Sequence, residues 1–184
     1  MSREILFRGK RADNGEWVEG NLVYSEDAEE DFKAIIIPIK GSWMYVTEHS
    51  EDLGGSWMYV TEHSEDLGFE KWYKVDPSTV CQYTGLTDKN GKKIWEGDIL
   101  RGHGNNTDLS KVVYGEFGMI ENETLEVIDI VIGWHYEPIP TDALSKCEPF
   151  CLPMPLTNYY IDRCEFEVIG NIYDNQELLE VEHE

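Results

Sequence analysis

The sequence predicts an all-β fold of small β-barrel or sandwich subdomains built from hairpins, closed by one short C-terminal helix. Three observations carry this reading. Short apolar runs rich in β-branched and aromatic residues recur along the chain, and Asn-Gly turn signals stand at Asp13-Asn14-Gly15 and Asp88-Lys89-Asn90-Gly91. Helical periodicity is nearly absent.

Taken in order, Ile5, Leu6 and Phe7 lead through the first turn to Trp17–Tyr24, which reads as a hairpin. The acidic run 25–31 reads as a solvated loop. Phe32–Ile39 is a β-branched strand candidate, with Pro38 placing it at an edge or at its own end. The segment GSWMYVTEHSEDLG at 41–54 recurs without change at 55–68. Repeats kept by selection drift and come in larger numbers, so two identical copies read as a recent duplication or an artefact. An insertion of even length preserves the in-and-out alternation of a strand that continues past it.

Phe69–Val75 is the next strand candidate. Asp76-Pro77-Ser78 follows as a capped turn, with Pro fixing φ and Asp able to accept from the turn's amides. Around the second turn signal, Tyr83 to Leu86 and Ile94 to Leu100 read as strands, the latter bent or bulged at Gly97. Val112–Tyr114 and Leu125–Trp134 are further strands. Residues 137–158 hold five of the seven prolines and read as a long irregular connection, a common place for binding. Phe166–Ile169 is the last strand, and Asp174–Glu182 the short helix. The domain expectation is one module over 1–184, with 1–74 and 75–184 as its two β subdomains.

With 184 residues, 41% of them hydrophobic, the chain can bury one core or two small ones. Its net charge of -22 repels nucleic acid and anionic membranes at long range, which argues against direct binding to either. No apolar run approaches the roughly 20 residues that span a bilayer. The N-terminal MSREILFRGKR lacks a signal peptide's apolar core, so a cytoplasmic location in a bacterial host is expected, with reduced cysteines. The charge is also uneven. Residues 112–184 hold two bases, Lys146 and Arg163, against 16 acids. Eight of the 15 Lys and Arg fall instead in 3–11 and 89–101.

None of the residue groupings carries a recognisable chemistry. Cys147 and Cys151, spaced C-x3-C with Cys164 beyond, lack the paired spacing of zinc sites and read as buried free thiols. His49 and His63 each lie in HSED, but the second copies the first, so both read as solvated loop rather than metal site. Arg101-Gly102-His103-Gly104-Asn105-Asn106 lacks the spacing of a phosphate loop and does not open a helix, so it reads as a turn. With 37 acids no carboxylate pair stands out, and no G-x-S-x-G or H-E-x-x-H occurs. Cys81 with a histidine is the remaining nucleophile arrangement, with nothing in the sequence to single it out. No catalytic residue, cofactor or metal is therefore expected.

Three stretches resemble the YopX family of phage and prophage proteins: REILFRGKRADNGEWVEGNLV at 3–23, QYTGLTDKNGKKIWEGDIL within 75–101, and EVIGNIYDNQELLE at 167–180. Cys81 and Trp95 depart from the small residue and the smaller aromatic usual at those positions. The resemblance implies an all-β fold, a home in bacterial mobile elements and a homo-oligomer, and it carries no activity. The leading expectation is thus a non-catalytic accessory protein that acts by protein contact or self-association. Its candidate interaction face is the basic set Arg8, Lys10, Arg11, Lys92, Lys93 and Arg101, set against an acidic remainder. Two further readings are an acidic nucleic-acid mimic that blocks a host DNA-binding protein, and an enzyme whose site is assembled only in space.

Overall fold

The computed structural model describes residues 4–26, 33–39, 71–121, 124, 126–142 and 145–179. The duplicated segment with His49 and His63, and the acidic loop from 27 onward, lie outside the described residues. The chain divides into two compact units, Ile5–Val80 and Cys81–Glu184 with Met1–Glu4.

In the first unit, β1 (Phe7–Lys10) and β2 (Trp17–Tyr24) form the predicted hairpin, with Phe7 opposite Gly20 and Lys10 opposite Trp17. β3 (Ala34–Pro38) adds to β2, and β4 (Tyr73–Lys74) adds to β3, all antiparallel. Pro38 ends its strand, as a residue without an amide donor should. Ala34, Ile36 and Val75 form the core, with Phe7, Val18, Leu22 and Val80 packed on it. Gly20 is required by this packing: a Cβ there would stand 2.0 Å from the Ile37 carbonyl oxygen. The turn at Asp76 is a short 3-10 helix, Pro77–Thr79, in which Asp76 accepts from the Ser78 amide and Pro holds the first position.

The second unit opens with the hairpin of β5 (Cys81–Thr87) and β6 (Lys93–Trp95), turning over Asp88–Gly91. The bend expected at Gly97 separates β6 from β7 (Asp98–Arg101). β8 (Leu109–Ile120) and β9 (Val127–Pro138), each of 12 residues, form a hairpin in which β8 is far longer than the Val112–Tyr114 read from the sequence and β9 is shifted C-terminally relative to Leu125–Trp134. With β10 (Met154–Pro155) and β11 (Glu167–Asn171) they make an open antiparallel sheet in the order β10-β9-β8-β7-β11. No sheet closes on itself, so the all-β class stands while the barrel alternative does not.

Around β7, β11 and the base of β8–β9, each face of this sheet is covered within the unit. One carries Leu100, Val112, Tyr136 and Val168 against Ile94, Leu156, Phe166 and Ile161 of α1 (Asn158–Cys164). The other buries Ile99, Leu109 and Ile139 under Ile172, Leu178 and Leu179. Helix α1 follows the irregular connection read over 137–158, in a stretch to which the sequence reading assigned no element. Thr157 caps it, and Glu165, left-handed at φ 51°, closes it with the Phe166 amide donating back to Ile161. The predicted C-terminal helix is a single 3-10 turn, Gln176–Leu178. Asn175 gives it no side-chain cap, and so short a run does not repay helix nucleation.

Candidate functional site

The six basic residues of the expected interaction face divide between the two units, and each is engaged within its own. In the first, Arg8 and Lys10 lie over the Trp17 ring, at 4.7 and 5.6 Å from its centroid. Arg11 covers Tyr73 and holds the Asp13 carboxylate at 2.5 Å, keeping Asp13 below the ordinary carboxylate range. In the second, Lys93 lies over the Tyr83 and Trp95 rings, and Lys92 Nζ donates to the Val168 carbonyl at 3.3 Å. Arg101 donates to Glu167 Oε2 at 2.8 Å and to Asn106 Oδ1 at 3.0 Å. These contacts stack or pair each cation locally.

Two features the sequence reading did not single out lie in the second unit. The first is a cavity of about 520 Å³. Its wall is apolar and aromatic, including Tyr136, Phe150, Leu152, Met154 and Phe166. His103, Asp108, Asp142 and Ser145 supply polar groups, and no Lys or Arg is among the described residues that line it. This size and balance suit a small-molecule site.

Local chemistry builds its mouth. Arg101–Asp108 is folded into a tight turn: the Gly102 amide donates to the Asp108 carbonyl, and His103 takes the left-handed conformation at φ 50°. A Cβ at Gly102 would stand 2.3 Å from Asp108 Oδ2, so any other residue there would displace the Asp108 carboxylate. His103 Nδ1 meets Asp108 Oδ2 at 2.9 Å, and the His103 amide donates to the Cys164 carbonyl at 2.7 Å, which anchors the loop to the end of α1. Across the mouth, the Ser145 amide donates to Asp142 Oδ1 at 2.8 Å while the Asp142 amide donates to Ser145 Oγ at 3.0 Å.

Inside, the Tyr136 hydroxyl and the Cys164 thiol hydrogen-bond to each other, and both are held protonated. Burial is the main cause for each. The negative charge of Asp108 adds to it, second for Cys164 and as a minor contribution for Tyr136. An activated cysteine needs the opposite, a cation or helix N-terminus that favours the thiolate. Burial thus disfavours the Cys164 thiolate.

The second feature is the outer part of the β8–β9 ribbon. Paired residues share a face, giving the rows Tyr114/Trp134, Glu116/Ile132, Gly118/Ile130 and Ile120/Val127. Val127, Ile130 and Ile132 are 62, 67 and 66% exposed, and Ile128, at the bulge beside them, 67%. The opposite face buries Phe117 stacked on His135, with ring centroids 4.7 Å apart. The ribbon thus turns a row of aliphatic side chains to solvent, with Glu116 the one charge in its rows.

The cysteines correct one expectation: Cys147 is exposed and Cys151 half-buried, while only Cys81 is deeply buried. Among the described residues no group of three or more His, Cys, Asp or Glu converges as metal ligands, and no helix is long and apolar enough to cross a membrane. The cavity was hidden because it joins loops far apart in sequence. Its available signal was the Gly102-His103-Gly104 turn followed by Asp108.

No curated protein matches the chain. Among solved structures, protein EF1440 from Enterococcus faecalis is similar over 97% of this chain and 100% of its own, at 20% identity and a TM-score of 0.44. The model of the family described as YopX protein matches residues 6–180, nearly the whole length, and the chain belongs to the YopX family.

Proposed function

We propose that this protein is a phage or prophage accessory protein that works without catalysis, by protein contact, and that the contact is with a second copy through the β8–β9 ribbon. The exposed face of Val127, Ile130 and Ile132 carries this reading. Each of these side chains, with Ile128 and Tyr114, offers on the order of 100 Å² of accessible surface. That makes about 500 Å² on one copy and about 1,000 Å² in a symmetric pair, near the lower bound for a specific interface.

Composition favours a second copy. The rows are aliphatic with Glu116 as their one charge, and Val127 packs over Gly118, so the apolar row is continuous. The same row on another chain, brought round by a two-fold axis, is a surface of matching character. Charge sets the condition. Two chains of -22 repel each other, and salt screens that repulsion while leaving apolar burial intact, so association strengthens with salt.

Size-exclusion chromatography with light scattering, at low and high salt, tests this. The wild type gives twice the 21.3 kDa chain mass, more completely at high salt, and Ile130→Glu and Ile132→Glu give monomers with unchanged melting. A wild-type monomer in both salts overturns the proposal, as does a Glu variant that associates like the wild type.

A further inference from the structure

The cavity is a separate matter from the ribbon, although Ile120 borders both. Its chemistry is one-sided. The walls supply the aromatic rings of Tyr136, Phe150 and Phe166, and the mouth supplies the carboxylates of Asp108 and Asp142. An aromatic body would bury its surface against such rings, where offset or edge-on packing adds to the area term. A cation gains twice, from the ring faces and from the carboxylates, whereas an anion meets Asp108 and Asp142, and no lysine or arginine is among the described residues of the lining.

The geometry points to a binding site for a small aromatic amine, with its ring held among Tyr136, Phe150 and Phe166 and its ammonium at the mouth beside Asp108 and Asp142. The field inside the cavity agrees with this polarity. The Asp108 charge opposes ionisation of the Cys164 thiol, second to burial and against a smaller opposite effect of Arg163, and contributes in the same sense at Tyr136; a charge of that sign favours an incoming cation.

Three probes with one ring and three charges test the idea by titration calorimetry: tryptamine, indole and indole-3-acetate. Tryptamine is expected to bind most tightly and indole-3-acetate most weakly. The span between them should be roughly tenfold or more, the combined size of a cation–π contact and a partly exposed ion pair. Asp108→Asn keeps an oxygen acceptor for His103 and removes the charge, so it should narrow the span without abolishing indole binding. Leu152→Trp fills the cavity and should abolish binding of all three.

Chemical-shift mapping on the wild type gives a readout that needs no variant: the amide signals of His103, Tyr136, Cys164 and Phe166 should move with tryptamine. Failure of all three probes to bind at millimolar concentration overturns the inference. So does equal or tighter binding of the acetate, or a shift map centred elsewhere. These readouts are affinities and shifts, whereas self-association is read as mass, so either proposal can fail alone.

Discussion

Asp88 is the residue on which the second unit's local and distant structure depend together. It is buried at the hairpin turn, where Oδ1 accepts from the Asn90 amide at 2.8 Å and the Lys92 amide at 2.9 Å. Oδ2 reaches across to the Val168 amide of β11 at 2.9 Å. One carboxylate thus fixes the turn and ties it to a strand 80 residues away. In Asp88→Ala, the Asn90 and Lys92 amides lie at an exposed turn and recover water, costing about 1 kcal/mol each. The Val168 amide is buried and left without an acceptor, which adds about 1–3 kcal/mol. The sum is about 3–5 kcal/mol, or roughly 10–20 °C in the Tm of a unit of this size. Asp88→Asn retains one oxygen for the turn amides but turns an NH2 toward the Val168 amide, so it should cost about 2 kcal/mol. Urea and thermal unfolding measure both, and hydrogen exchange at the Val168 amide reports the long-range bond directly. A loss below about 1 kcal/mol for Asp88→Ala, or a greater loss for Asn than for Ala, would refute the reasoning.

Glu167 predicts a pH dependence. Its hydrogen bond from Arg101, with the charges of Arg101 and Lys89, holds its carboxyl below the ordinary value of 4.5. The folded state binds this proton less readily than the unfolded chain does. The contribution is therefore fully present above pH 4.5 and lost as the pH falls through the lowered value. Glu167→Gln should flatten the fall of Tm on the acid side of pH 4.5 while leaving neutral behaviour little changed; an unaltered acid profile would count against it. In the first unit, Gly20→Ala drives a Cβ against the Ile37 carbonyl, and should cost about 2 kcal/mol or more by forcing β2 and β3 apart. Thermal melting of the variant checks this, and a neutral result would show that the strand pairing can shift.

Much of the fold was legible because its instructions are local. Asp13-Asn14-Gly15 and Asp88–Gly91 each specify a hairpin within a few residues, and β2 runs over Trp17–Tyr24 as read. Asp76-Pro77 sets a capped turn through a bond only two residues long. The long ribbon was less legible because Glu116, Gly118 and Asp129 interrupt its apolar alternation, and pairing across the hairpin carries the strands through them. Helix α1 was missed because seven residues are too few for periodicity to show. Burial of Ile161 against the core makes the helix, together with the cap at Thr157.

Charge read along the chain does not show what each cation touches. Arg8, Lys10 and Arg11 cluster in sequence, yet their cations rest on Trp17, Tyr73 and Asp13 rather than forming a bare patch. The cavity shows the converse. His103, Asp108, Tyr136 and Cys164 have no sequence spacing that announces a site, and they meet because the His103 amide bonds the Cys164 carbonyl and the sheet sets Tyr136 beside both.

By itself, then, the sequence determined the all-β class, the two hairpin turns and the capped turn at Asp76, through residues within a few positions of one another, and, through stretches spread along nearly its whole length, membership of the YopX family. Only the tertiary structure decided that the sheets stay open, that a short helix closes one core, that a ribbon face is left uncovered and that a cavity opens beside Asp108. Those features depend on which surfaces remain after distant segments have paired, and burial of that kind is a property of the packed chain rather than of any stretch of it.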